Sequence, residues 1–180
     1  MRDRIGGIPG GPGEASTTLL GDWYANLLGW RRPHVILVNA RTLVPVVTPL
    51  APAKGLPGRL PDLIADALLA LGVAQELVDD ERTHLEEVRI ARTANRSVVG
   101  SMNDFAFRAD HRRTETGDLD LGALSMDLAH VPCGPLNTSH TFSDAELHAL
   151  LGSLRPSPSA ERRVPGPRAR VTVGGRWQGG

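Results

Sequence analysis

At 180 residues, with 20 acidic and 20 basic side chains and 41% hydrophobic content, the chain is sized for one domain with its own core and is not disordered throughout. A formal net charge of zero excludes a global pull toward nucleic acid or anionic lipid, so any such binding must come from local patches. Cys133 is the only cysteine, which excludes an intramolecular disulfide, and there is no apolar run of signal-peptide or membrane-spanning length; together these point to a reducing cytoplasm and no membrane partner.

The first segment, residues 1–17, reads as a flexible lead-in. Its glycine-rich run Gly6 to Gly13 is a poor phosphate cradle, because Pro9 and Pro12 lack N–H donors and no strand precedes it. Residues 18–154 are predicted to form a single α+β domain, a small mainly antiparallel sheet packed against several helices. Leu19 to Leu28 and His34 to Val38 read as two strands around a turn at Gly29 to Pro33, and Leu43 to Thr48 as a third, with Pro45 marking a sheet edge or bulge. Leu63, Ile64, Ala67, Leu68 and Leu71 recur at helical spacing, with Pro61 near the start and Gly72 as the stop. A more polar surface helix follows from about Ala74 to Leu85, then a fourth strand from Glu87 to Thr93.

From Asn95, an expected N-cap, the residues Val98, Met102 and Phe105 fall on one helical stripe. Leu119 to Leu128 repeats leucines at helical spacing up to the turn Pro132-Cys133-Gly134-Pro135. Ser143 to Glu146 has the form of a capping box before an apolar face of Leu147, Leu150, Leu151 and Leu154. Residues 155–180 read as a disordered, basic tail rich in Pro, Gly, Ser and Arg, apart from Val171-Thr172-Val173 and Trp177.

Several of these stretches together resemble a bacterial family, domain of unknown function 6933. They are Trp23 to Leu27, Val38-Asn39 with Thr42-Leu43, the run Arg92 to Phe105, and Leu128-Ala129 with Pro132 to Leu136. The likeness covers roughly Leu19 to Leu151 and implies a small bacterial α+β protein without an assigned reaction. It further implies an N-terminal strand of which Met1 to Ile5 would be the end, so that an open sheet edge would favour a homodimer. His130 stands where the resemblance leads one to expect an acidic residue.

The polar segment Asn95 to Phe107 supplies the candidate site. Arg96, Ser97, Ser101, Asn103 and Asp104 could line a pocket for a small anionic ligand, Arg96 offering a planar fork of donors and the helix N-terminus adding backbone N–H groups. The same residues also fit a structural role: Asn95 and Ser97 capping, Gly100 and Ser101 packing closely, and Arg96 pairing with Asp104. Trp23, Asn26 and Trp30 could form a stacking surface or pack in core and turn. Cys133, His130, His140 and His148 hold the atom types of a thiolate–imidazole pair or zinc site but not a complete, paired-spacing ligand set.

No serine lies in a nucleophile elbow, and neither a catalytic residue, nor a metal, nor a cofactor is assigned. The tail arginines, Arg155, Arg162, Arg163, Arg168, Arg170 and Arg176, could contact phosphates or an acidic partner. The reading is a non-catalytic binding or accessory protein with a protein partner or small anionic ligand. Its alternatives are an enzyme acting on a small anionic substrate through Arg96 to Asp104, and a nucleic-acid-binding accessory protein.

Overall fold

The computed structural model describes residues 8–9, 16–85, 87–92, 95–116, 119–134, 142–154 and 169–173. In chain order these form β1 (Ile8–Pro9), β2 (Trp23–Leu28), β3 (His34–Asn39), β4 (Pro45–Pro49), a short 3-10 turn (Ala53–Gly55), α1 (Leu56–Ala70), α2 (Gln75–His84), β5 (Val88–Arg92), α3 (Arg96–Thr116), α4 (Leu121–Ala129), α5 (Ser143–Leu154) and β6 (Ala169–Val173).

The expected α+β domain is present, but its sheet is mixed rather than mainly antiparallel. The strand order is β1-β5-β6-β2-β3-β4. Pairings β1 with β5, β5 with β6 and β6 with β2 are parallel, whereas β2 with β3 and β3 with β4 are antiparallel. Helices flank both faces. One apolar cluster joins Trp23, Val35 and Leu37 to Leu60, Ile64 and Leu68 of α1 and to Leu147 of α5; the other joins Tyr24, Ile36 and Val38 to Val98, Met102 and Phe105 of α3 and to Leu124 of α4. With both faces covered, Val35 to Val38 is a continuous apolar run without alternation.

The antiparallel half is local. Tyr24 pairs with Val38 and Ala25 with Leu37 across the first hairpin. At its far end Asn39 Oδ1 accepts from the Arg41 and Thr42 N–H groups, each at 3.0 Å, and from the Thr42 hydroxyl at 3.1 Å. That side chain holds a turn in which Leu43 adopts φ 58°, a left-handed conformation uncommon for leucine. Pro45 does mark an edge strand. There the Val47 N–H donates to Ser125 Oγ (2.9 Å), whose own proton goes to the Leu121 carbonyl (2.7 Å), so α4 covers the open edge.

The starts of β2, β4 and α1 differ from the sequence expectation. β2 starts at Trp23, because Leu19 and Leu20 turn instead to Glu81 on α2: their N–H groups donate to Glu81 Oε2 at 2.7 and 3.4 Å. β4 runs Pro45–Pro49, since Leu43 lies in the turn. α1 begins a turn earlier than Pro61, with Pro57 in its first turn and Pro61 inside. It ends as expected at Gly72, whose φ of 77° ends the helix while the Val73 N–H reaches back to the Leu68 carbonyl at 3.0 Å.

The largest correction concerns the tail. Ala169 to Val173 is strand β6, inserted between β5 and β2 with Ala169 and Val171 buried, and Arg170 lies 3.9 Å from Asp22. Burial pushes the Asp22 carboxyl above its ordinary range, while Arg170 and the Ser16 backbone draw it down. The domain therefore does not end at Leu154. Likewise Ile8–Pro9 of the lead-in pairs with Arg89 and Ile90. Residues 1–7 and 10–15 of the lead-in and 155–168 and 174–180 of the tail, with Arg155, Arg162, Arg163, Arg168, Arg176 and Trp177, lie outside the described residues, as do Thr93, Ala94 and residues 135–141. No helix among the described residues is long and apolar enough to cross a membrane.

Candidate functional site

α3 opens at Arg96 because Asn95 caps it: Asn95 Oδ1 accepts from the N–H groups of Ser97 (3.0 Å) and Val98 (3.4 Å). Val98, Met102, Phe105, Ala106 and Ala109 face the sheet and are buried, which fixes how the helix is rotated about its axis. Arg96, Ser97, Gly100, Ser101 and Asp104 then share the flank beside that stripe. Opposite them stand Cys133 and Gly134, and the two sides enclose a cleft of about 400 Å³ with Phe105 at its back.

Four of the expected site residues are thus brought together: Arg96, Ser97, Ser101 and Asp104. The other three are not. Asn103 is exposed and does not line the cleft. Trp23 is fully buried in the cluster on the other side of the sheet, so it offers no stacking surface there. Asn26 is buried in β2, its Oδ1 accepting from the Leu27 N–H at 2.9 Å, and it does not line the cleft either. Trp30 packs at the turn, donating from Nε1 to Asp110 of α3 and lying 5.6 Å beneath the Arg113 guanidinium.

The polar groups of the cleft are unevenly satisfied. Asp104 pairs with Arg108, Nε to Oδ2 at 3.1 Å, and not with Arg96. Among the described residues Arg96 has no hydrogen-bond or ion-pair partner and remains exposed at the cleft mouth. Ser101 is only 8% exposed, and its hydroxyl likewise has no partner among the described residues. A buried hydroxyl in that state costs on the order of 1–3 kcal/mol. Exposed helical serines have no such cost, which makes Ser101 the outlier of the segment.

Cys133 belongs to this wall, a role that its spacing did not reveal. Its Sγ donates to the Val131 carbonyl (3.4 Å) and lies 3.5 Å from Ser143 Oγ, while the Ser143 hydroxyl donates to the carbonyl of the left-handed Leu43 at 3.1 Å. Ser143, read as a cap, therefore also clamps the β3–β4 turn to the wall of the cleft. Burial pushes the Cys133 thiol up, the Ser143 hydroxyl drawing it down and Asp104 adding to the rise. The thiol, rather than a reactive thiolate, is the form at neutral pH.

The histidines are dispersed. His130 lies 3.3 Å from Asp144, His148 Nε2 is 2.9 Å from the Leu71 carbonyl, and His140 is outside the described residues. Among the described residues no group of three His, Cys, Asp or Glu side chains is placed to hold a metal ion. Of the tail arginines, Arg170 is built into the sheet beside Asp22, and the others lie outside the described residues.

A family model described as Domain of unknown function (DUF6933) matches residues 1–146, a span that takes in the whole cleft and ends before β6. No curated protein and no solved structure matches the chain.

Proposed function

Since the chain belongs to the domain of unknown function 6933 family, whose description assigns no reaction, we propose its role from the cleft: a non-catalytic binding protein of the bacterial cytoplasm that holds a small anionic ligand at the start of α3. The observation that carries this reading is the Ser101 hydroxyl, nine-tenths buried and without a partner among the described residues, in a cleft headed by the equally unpartnered Arg96. A bound ligand would supply both groups with the partners they lack. The Cys133 thiol, raised by burial, favours binding over nucleophilic chemistry. The enzyme reading keeps one supporting feature, the Asp104 carboxylate in the same cleft, and it predicts turnover that Asp104→Asn abolishes.

The test is an amide-shift titration of the full chain with acetate, succinate and inorganic phosphate. At least one of these anions is expected to move the resonances of residues 96–104, and Arg96→Ala to abolish the response while leaving the melting temperature where it was. A wild-type chain that answers to none of the three would overturn the reading, as would an Arg96→Ala variant that melts early and still binds.

A further inference from the structure

We infer that the ligand of this cleft is a short free peptide of about three residues, with its carboxylate on Arg96, a backbone amide at Ser101 and its ammonium on Asp104. This rests on the reading of the cleft as a binding site and specifies its chemistry. Three observations set the ligand's length and polarity.

The first is the anion end. Two of the N–H groups that this helix start would offer a phosphate, those of Ser97 and Val98, already donate to Asn95 Oδ1. What remains is the Arg96 guanidinium fork with its own N–H and the Ser97 hydroxyl, a small donor set matched to the two oxygens of a carboxylate rather than to a fuller phosphate shell.

The second is the opposite charge in the same cleft. Asp104 lies eight residues after Arg96, about 12 Å along the helix axis at the α-helical rise, and only its Oδ2 is engaged by Arg108. A free amino acid, with one carbon between ammonium and carboxylate, cannot reach both. Three extended residues span about 10 Å, close to that axial separation.

The third lies between the ends. The Ser101 hydroxyl can donate or accept, is buried, and has no partner among the described residues, so the middle of the ligand must be polar where it passes Ser101. A peptide amide meets that need; a polymethylene chain does not. The cleft volume of about 400 Å³ accommodates a peptide of small residues.

The experiment titrates the full chain with trialanine, N-acetyl-trialanine and trialanine amide, and with succinate as an anion lacking the ammonium, reading amide shifts of residues 96–104. Trialanine is expected to bind about tenfold more tightly than either capped form, the size of one charge-assisted hydrogen bond. Asp104→Asn should erase its advantage over the acetylated peptide, and Arg96→Ala its advantage over the amide.

Equal affinity for trialanine and its acetylated form on the wild-type chain overturns the inference while leaving the anion site in place. So does a response to succinate with none to any peptide. Silence toward all four probes removes this inference, and the function proposed above falls with it only if acetate and phosphate are silent as well.

Discussion

Glu81 shows how one residue can depart from the pattern that surrounds it. Val78, Glu81 and Leu85 fall on the inward stripe of α2, and Glu81 is 1% exposed, a carboxylate where the periodicity calls for an apolar side chain. It is there because the chain at Leu19 and Leu20 needs an acceptor for two N–H groups, and a carboxylate oxygen supplies it. Burial pushes this carboxyl from 4.5 up to about 7, against the pull of those same N–H groups. The folded chain therefore binds this proton more tightly than the unfolded one. The group's stabilising contribution is complete below about pH 4.5 and is lost as pH rises to about 7, a change of about 3 kcal/mol. Glu81→Gln keeps the accepting oxygen and loses the titration, so its stability relative to wild type should rise across that window in urea melts at pH 4.5, 6 and 7.5. Parallel pH profiles for the two proteins would show that the carboxyl titrates normally.

At the scale of elements, what the sequence revealed was local. α1, the start of α3 and the β2–β3 hairpin carry their signals within a few residues, and Gly72 and Asn95 act where their chemistry indicates. β6 was not legible, because five residues among Pro, Gly and Arg acquire their meaning only from β2 and β5, strands far away in the chain. The site divides the same way. Helical spacing groups Arg96, Ser97, Ser101 and Asp104, but it also sets Asn103 seven residues from Arg96 on the same side of α3; that Asn103 stays out of the cleft, and that Cys133 and Gly134 face it, follows from tertiary packing. The insertion of β6 makes a prediction that a dangling tail would not share. Val171→Ala removes buried methyl groups from the central sheet and should cost about 2 kcal/mol in chemical denaturation. An unchanged midpoint would put this segment outside the folded domain.

The whole molecule is a sheet that keeps two apolar clusters apart, with the cleft on one side only. Stability and binding should therefore be separable by mutation, because the lesions lie across the sheet from one another. Ile64, fully buried on α1, belongs to the far cluster, and Ile64→Ala should cost about 2–5 kcal/mol while leaving the affinity of the remaining folded protein unchanged. Ser101→Ala should do the reverse. Deleting a buried hydroxyl that has no partner among the described residues relieves a desolvation cost, so the melting temperature should hold or rise while ligand shifts at residues 96–104 weaken. If the hydroxyl instead served packing or capping, Ser101→Ala would lower the melting temperature and leave binding intact. Paired melting and titration curves for the two variants distinguish a site that is maintained at a cost to stability from a helix start that is merely polar.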